Sequence, residues 1–343
     1  MSDTKTRNCS IDLFRYVSAV MVVAIHTNPG SDINGNLGYL LTQILPRIGV
    51  PFFFAVAGYF YVQKLEKGKP AFLAYMEKLL FVYVIWSCLY FAIDFIQYPP
   101  QDLTGYTRDC IRRFILTGSS EHFWFFPALI FSVCVTTLFF RLGAAKLLLG
   151  ISLILYAIGC VGCSYYYVGI EIPFLNGLYS HPQFLLIRRI LMMGLPFFLC
   201  GYLVYRLQER FLVKISTRKI MAWWGAGVVL WLAEIWLVRA LRLEINIYIT
   251  FGLYLLLITT LLVLLKNPLP QYGTWANRCR MLANFTYYSH PAFILILTLV
   301  YEHILGVRLT ETPKFLWTIG ITLVGGLICH KWNRSWLNTI MNY

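Results

Sequence analysis

Long apolar runs recur along the whole chain, and they constrain the fold more than any other feature. A helix that crosses the hydrocarbon of a bilayer needs about 20 mostly apolar residues. Backbone polar groups in hydrocarbon must be paired within the chain, so runs of this length should be helices. We therefore predict an all-α, polytopic membrane helix bundle of about ten transmembrane helices, in one domain over residues 1–343. The predicted spans lie near residues 11–27, 48–62, 79–96, 123–140, 147–166, 190–205, 221–241, 247–265, 282–304 and 315–330.

The formal net charge of +14 would suggest a nucleic-acid partner if the chain were soluble. No segment combines dense Arg and Lys with an exposed fold, so we expect no binding to nucleic acid. With a cytoplasmic N-terminus, most basic residues between the predicted spans fall on the inner side, as the positive-inside rule requires. We therefore expect both termini in the cytoplasm and the lipid bilayer as the main partner.

Metal and redox chemistry have little support in the sequence. The nine cysteines are scattered through apolar runs, as expected for thiols that pack as small hydrophobic groups. Cys160 and Cys163 are close in sequence but have no neighbouring ligands, so we predict a packed pair. The chain contains no His-Glu-x-x-His motif and no phosphate-binding glycine loop. We expect neither a metal site nor nucleotide hydrolysis.

Two polar residues, Arg15 and His26, interrupt the first apolar run. They are about 20° apart around a helix and about 16 Å apart along it. Charged groups in hydrocarbon are costly, so such residues usually face the bundle interior and serve a function. The alternative is that Arg15 extends to the inner headgroups and His26 only ends the helix. Asp12, three residues before Arg15, is placed to form an ion pair with it.

Four segments occur in the same order as the motifs of one enzyme family. They are Asp12-x-x-Arg15 followed by ten residues and His26, VPFFFAVAG at 50–58, HFWFF at 122–126, and YYSHP at 287–291. Together they resemble acyltransferase family 3, the integral membrane O-acyltransferases. Two positions depart from the family pattern: Ala57 stands where serine is common, and Pro291 follows the histidine directly.

The resemblance implies an enzyme of the bacterial plasma membrane that moves an acyl group, often acetyl, from cytoplasmic acyl-CoA. The acceptor would be a hydroxyl of a cell-envelope glycan or of a small molecule. Arg15 would hold the phosphate or pantetheine part of the donor, and a neutral His26 would take the proton from the acceptor hydroxyl. The expected substrate contacts, each with a purely structural role as the alternative, are Asp12, His122, Trp124, Glu234 and His290.

A second resemblance points to a different class of function. Segments 11–15 and 25–27 also resemble the membrane half of membrane-bound serine racemases linked to glycopeptide resistance of the vancomycin type. Such a domain would supply L-serine to a racemase domain. No room for a pyridoxal-phosphate barrel remains before Tyr343. If the chain is an excised membrane domain, transport becomes the better interpretation. A generic sugar or ion transporter would need paired broken helices at the midplane, whereas the prolines lie nearer the ends of the predicted spans.

Overall fold

A computed structural model describes residues 8–67, 72–269 and 273–332, and all regular structure in these residues is helical. Short π-helical segments cover Leu40–Ile44, Arg113–Thr117, Arg188–Gly194 and Val300–Ile304, and 3-10 turns cover Leu45–Ile48 and Glu121–Trp124. The α-helices in chain order are α1 (Cys9–Thr27), α2 (Gly35–Tyr39), α3 (Gly49–Glu66), α4 (Phe72–Gln97), α5 (Leu103–Arg112), α6 (Phe125–Arg141), α7 (Ala145–Val161), α8 (Tyr166–Gly169), α9 (Pro173–Tyr179), α10 (Phe184–Ile187), α11 (Leu195–Lys214), α12 (Thr217–Ala240), α13 (Phe251–Lys266), α14 (Gly273–Leu299) and α15 (Glu311–Trp332).

Seven helical stretches within the described ranges are long and apolar enough to cross a membrane, as expected of a multi-pass membrane protein. They are Cys9–Thr27, Gly35–Glu66, Phe72–Gln97, Glu121–Arg141, Phe184–Gln208, Thr217–Ala240 and Glu311–Trp332. The all-α prediction is confirmed at this level.

A helix lies at each of the ten predicted positions, but three of these helices are less suited to crossing a bilayer. Helices α7 and α13 have 17 and 16 residues, which is at and just below the lower limit of about 17 residues for a spanning helix. Helix α14 is long but carries basic residues near its start. The count of ten, the single domain and the cytoplasmic termini stay predictions, and segments 1–7 and 333–343 lie outside the described residues.

The described residues group into two compact units. Unit 1 contains those within 1–53, 207–228 and 256–342, and unit 2 contains those within 54–206 and 229–255. Helices α3, α11, α12 and α13 therefore contribute residues to both units.

In unit 1, the start of α1 is fixed to the end of α13 by side-chain hydrogen bonds. The Asn8 side chain accepts from the backbone N–H of Ile11 at 3.2 Å and donates to the carbonyl of Leu264 at 2.9 Å. Ser10 Oγ donates to the carbonyl of Asn267 at 2.8 Å. Asn8 thus caps one helix and pairs a carbonyl that the end of the other helix leaves without an intrahelical donor.

The other end of α1 is held by the start of α15. Asn28 ends α1 in the left-handed conformation (φ 53°), and its N–H bonds to the carbonyl of Ala24. Two residues later, the N–H of Gly30 donates to Thr312 Oγ1 at 2.8 Å, and the N–H of Thr312 donates to Asp32 Oδ2 at 3.0 Å. Hydrogen bonds from the Thr312 side chain and backbone lower the pKa of the Asp32 carboxyl. The segment that follows α1 is therefore anchored to the first turn of α15.

Helix α1 packs against both α14 and α15, and α14 packs along α15. A Cβ at Gly326 would lie 2.6 Å from a methyl carbon of Leu282, so glycine is what allows α15 to approach α14 this closely. Met281 and Phe285 of α14 are buried at this contact, with Cys329 packed against them. Helix α1 therefore packs against two helices that are themselves in close contact.

In unit 2, α3 and α11 touch backbone to backbone. A Cβ on Gly58 would overlap the carbonyl oxygen of Phe198, and a Cβ on Gly201 would overlap the carbonyl oxygen of Ala55. A backbone carbonyl cannot turn aside as a flexible side chain can, so both positions require glycine. Gly58 ends the 50–58 motif, which gives that part of the motif a role in packing. The surrounding core contains Val62, Leu148, Leu195, Leu199 and Tyr202.

We expect Gly201→Ala to lower the free energy of unfolding by about 1–3 kcal/mol, because the added methyl group forces α3 and α11 apart. Gly150→Ala in α7 is the matched control, since its Cβ would have no neighbour within 4 Å, and it should leave stability unchanged or slightly raise it. Thermal unfolding of the purified proteins in detergent measures both. Equal unfolding temperatures for the two variants would contradict the close contact.

Candidate functional site

Asp12 and Arg15 form an ion pair on α1 in unit 1. Arg15 Nη1 lies 3.7 Å from Asp12 Oδ1, and the two side chains are 17% and 7% exposed. The pair predicted from the spacing of these residues is confirmed. Because Asp12 is nearly enclosed, the pairing with Arg15 offsets part of the cost of burying its charge.

Near the other end of α1, His26 meets a second histidine. Its ring centroid lies 5.2 Å from that of His290, with the ring planes tilted by 44°. His26 is in the last turn of α1 and His290 is fully buried in α14. Unit 1 thus brings two of the residues singled out from the sequence into direct contact.

Pro291 explains how the His290 ring is oriented. In a regular helix the N–H of residue 291 would bond to the carbonyl of Tyr287, but proline has no N–H. His290 Nδ1 takes that place, 2.9 Å from the Tyr287 oxygen and 3.0 Å from the Thr286 oxygen. Carbonyl oxygens only accept hydrogen bonds, so Nδ1 carries the hydrogen and, in a neutral ring, Nε2 carries the lone pair. The histidine–proline order that departs from the family pattern therefore fixes the ring and its tautomer.

His122 and Trp124 belong to unit 2 and sit among aromatic residues. The His122 ring is buried, with Nδ1 at 3.2 Å from Ser120 Oγ and its centroid 5.3 Å from that of Tyr90. Trp124 lies under the guanidinium of Arg189, whose Cζ is 5.6 Å from the ring centroid. Their predicted roles as substrate contacts stay predictions, because each side chain also has the packed surroundings of a structural residue.

Glu234, also in unit 2, caps the start of α13. Its Oε1 accepts from the N–H of Phe251 at 2.8 Å and from the Tyr165 hydroxyl at 2.9 Å, while Oε2 accepts from the N–H of Gly252 at 2.5 Å. A carboxylate at a helix N-terminus pairs exposed N–H groups and favours the helix dipole. Both oxygens are thus engaged structurally, and the predicted substrate contact at Glu234 stays a prediction.

Unit 1 also contains a basic cavity that the sequence did not reveal. Its volume is about 480 Å³, and it is lined by Arg278, Leu327, His330 and Lys331. In the sequence, the charges of Arg278 and Lys331 indicate only the inner side of the membrane. Their convergence depends on the packing of α14 against α15, for which the sequence carries no local signal.

The structure divides the predicted site residues between the two units. Unit 1 holds the Asp12–Arg15 pair and the His26–His290 pair, whose members on α1 lie at opposite ends of one helix. Unit 2 holds the other three, His122, Trp124 and Glu234, each with different neighbours. The arrangement in unit 1 offers an oriented imidazole pair for proton transfer and cationic groups suited to a phosphorylated ligand.

We expect Glu234→Ala to lower the free energy of unfolding by about 1–3 kcal/mol, because two backbone N–H groups and one hydroxyl lose their acceptor. Glu234→Gln retains one acceptor oxygen and should cost less. Thermal unfolding compares the three proteins, and acyl-CoA binding is measured well below the lowest unfolding temperature. An unchanged unfolding temperature together with lost binding would instead assign Glu234 to the substrate.

Comparison with curated proteins finds relatives that are named as racemases. Two amino-acid racemases of Enterococcus faecalis are 33% identical over 224 residues and 28% identical over 179 residues, which is 63% and 52% of this chain. A serine/alanine racemase of Enterococcus gallinarum is 30% identical over 167 residues, or 47% of this chain. These matches cover 31%, 25% and 24% of the relatives, so the matched regions span less than a third of each relative's length. No solved structure matches the chain.

A family model described as an acyltransferase domain matches residues 8–331. The match includes α1 with Asp12, Arg15 and His26, and it extends through α14 with His290. It therefore covers nearly all of the chain, including both units. The chain belongs to acyltransferase family 3.

Proposed function

We propose that this protein is a membrane enzyme that transfers an acyl group, in the simplest case acetyl, from acyl-CoA to a hydroxyl group. The observation that carries this proposal is the contact between His26 and His290, at a ring separation of 5.2 Å. Histidine is the side chain whose ordinary pKa best suits proton transfer near neutral pH. Family membership supports the same reaction class.

In the proposed reaction, neutral His26 takes the proton of the acceptor hydroxyl while the hydroxyl oxygen attacks the thioester carbonyl carbon. The C–S bond then breaks, the acyl group remains on the acceptor oxygen as an ester, and the CoA thiolate takes a proton from the His26 imidazolium. His290 serves as a positioning residue. Its Nδ1 is held by the carbonyls of Thr286 and Tyr287, so the Nε2 lone pair can accept a hydrogen bond from the His26 ring.

The donor side of the proposal depends on the positive charges of unit 1. Acyl-CoA carries several phosphate charges, and the basic cavity lined by Arg278, His330 and Lys331 has the charge and the volume to bind them. Arg15 presents a planar guanidinium suited to a phosphate or to the polar groups of the pantetheine arm. We propose that the phosphates bind in the basic cavity and that the thioester extends toward His26.

We place the enzyme in the bacterial plasma membrane, with acyl-CoA taken from the cytoplasm. The acceptor is proposed to be a hydroxyl of a cell-envelope glycan or of a small molecule. The seven apolar helices able to cross a bilayer support a membrane location. Such a location gives one enzyme access to a soluble donor and to an acceptor of the envelope.

A second function, supply of an amino acid, is favoured by the relatives. Proteins named amino-acid racemase and serine/alanine racemase match this chain over less than a third of their own length. In this alternative the matched region delivers L-serine to a racemase domain, in the context of vancomycin-type resistance. The His26–His290 pair would then bind the transported molecule without transferring an acyl group.

We expect His26→Ala to lower acyl transfer by about 10²–10⁴-fold, because general base catalysis by a positioned side chain contributes that much to the rate. The assay uses purified protein, labelled acetyl-CoA and an envelope glycan fraction, and it counts ester-bound label. His303→Ala is the control, since this histidine is exposed in the π-helical segment Val300–Ile304, and it should retain full activity.

Full turnover by His26→Ala would remove the proposed base. If the purified wild type neither binds acetyl-CoA nor transfers label, and if labelled L-serine accumulates in vesicles only when the protein is present, acyl transfer is wrong and amino-acid supply takes its place.

Arg15→Ala in the same assay should reduce affinity for acetyl-CoA more than it reduces turnover of bound donor. The proposed contact to the donor is present both before and during the reaction, so its loss weakens binding without slowing the bound donor.

We expect Lys331→Gln combined with Arg278→Gln to raise the KM for acetyl-CoA about tenfold or more, because charge-assisted phosphate contacts are lost. The KM for acetyl-pantetheine, which lacks the phosphates, should not change. Arg308→Gln is the control, because Arg308 is 83% exposed and lies near Glu311 rather than in the cavity. An equal rise for both donors would show that the cavity does not recognise phosphate.

A further inference from the structure

Arg188 is a buried cation in unit 2 that the proposed acyl transfer does not use. It begins the π-helical segment Arg188–Gly194, and only 8% of the residue is exposed. Few arginines are this deeply buried without a carboxylate partner, because removing the charge from water is costly. In the part of the chain that the structure describes, no carboxylate forms an ion pair with Arg188.

The contacts that the structure describes for the Arg188 guanidinium are with uncharged groups. Nη1 donates to the Cys163 sulfur at 3.4 Å. Cζ lies over the rings of Tyr248 and Phe184, at 5.2 and 5.9 Å from their centroids. The Nε atom is enclosed and has no hydrogen-bond acceptor among the described residues. A thiol is a weak acceptor and aromatic faces are weak partners, so these contacts orient the guanidinium without neutralising it.

An enclosed N–H without an acceptor is costly, and a bound anion is one group that would pair it. We infer that Arg188 binds the carboxylate of a small solute, with Tyr248 and Phe184 forming the aromatic sides of the site. The guanidinium fork matches the two oxygens of a carboxylate, and a single negative charge neutralises the single positive charge of Arg188. A phosphate monoester carries about −1.5 to −2 at neutral pH and would leave buried negative charge uncompensated.

In the inferred site, the solute enters past the two aromatic rings. Both Phe184 and Tyr248 are partly exposed, whereas Arg188 is not. A carboxylate bound to the guanidinium in this position would replace water as its partner. The inference concerns unit 2 and does not depend on the acyl transfer proposed for unit 1.

The test compares ligand-induced stabilisation in wild type and in Arg188→Met, both as the purified 343-residue chain in detergent. Titration with L-serine, and separately with acetate, should raise the wild-type unfolding temperature in a saturable way, because a ligand that binds the folded state stabilises it. Arg188→Met should show no such rise. Without ligand, it should unfold at the wild-type temperature or above, since it no longer buries an unpaired charge.

Two more variants and a salt titration distinguish recognition of a carboxylate from a general effect of charge or ionic strength. Arg188→Lys keeps the charge but loses the fork, so its Kd for the same carboxylate should rise roughly tenfold or more. Arg112→Gln is the control, because that side chain is 70% exposed, and its response should equal that of the wild type. Choline chloride at equal ionic strength should leave the unfolding temperature unchanged.

Three results would overturn the inference. A ligand-free Arg188→Met protein that does not fold, or that unfolds well below the wild type, would mean that Arg188 stabilises the fold itself. A wild type that neither carboxylate stabilises would mean that no such site exists. Stabilisation by inorganic phosphate without stabilisation by L-serine or acetate would mean that the class of ligand is wrong.

Discussion

The carbonyl oxygen of Tyr287 is the group on which the histidine pair depends. Pro291 removes the N–H that would normally bond to it, and a buried carbonyl left without a hydrogen bond costs about 1–3 kcal/mol. His290 supplies the missing donor from its own ring, at 2.9 Å. One hydrogen bond therefore repairs the helix and also sets the plane and the tautomer of an imidazole that touches His26. The Nδ1 atom of His290 therefore stabilises the helix and also orients the ring next to His26.

Features that are local in the sequence can be predicted from it. The first span is predicted at 11–27 and is found as Cys9–Thr27, because helix length and apolar content are encoded within one segment. The Asp12–Arg15 ion pair follows from a spacing of three residues on one helix. In both cases the residues that interact lie within a few helical turns of one another.

Features that depend on tertiary packing cannot be predicted in this way. The contact between His26 and His290 joins α1 to a helix more than 250 residues later, and nothing in either segment specifies the partner. The sequence identifies Glu234 as a carboxylate in an apolar segment, but its three donors come from other segments of the chain. A single sequence can identify a group that is costly to bury. It cannot show whether the compensating partner is another part of the protein or a ligand.

The π-helical segment Arg188–Gly194 has a geometric consequence for the residues before it. A π-helical turn holds more residues than an α-helical turn, which is equivalent to one residue inserted into the regular repeat. Every side chain upstream of the insertion is rotated by about 100° relative to the phase of α11. Removing one residue from the segment would restore the regular repeat and turn Arg188 away from Cys163 and Tyr248. The direction of this cation is therefore set by the number of residues in one turn.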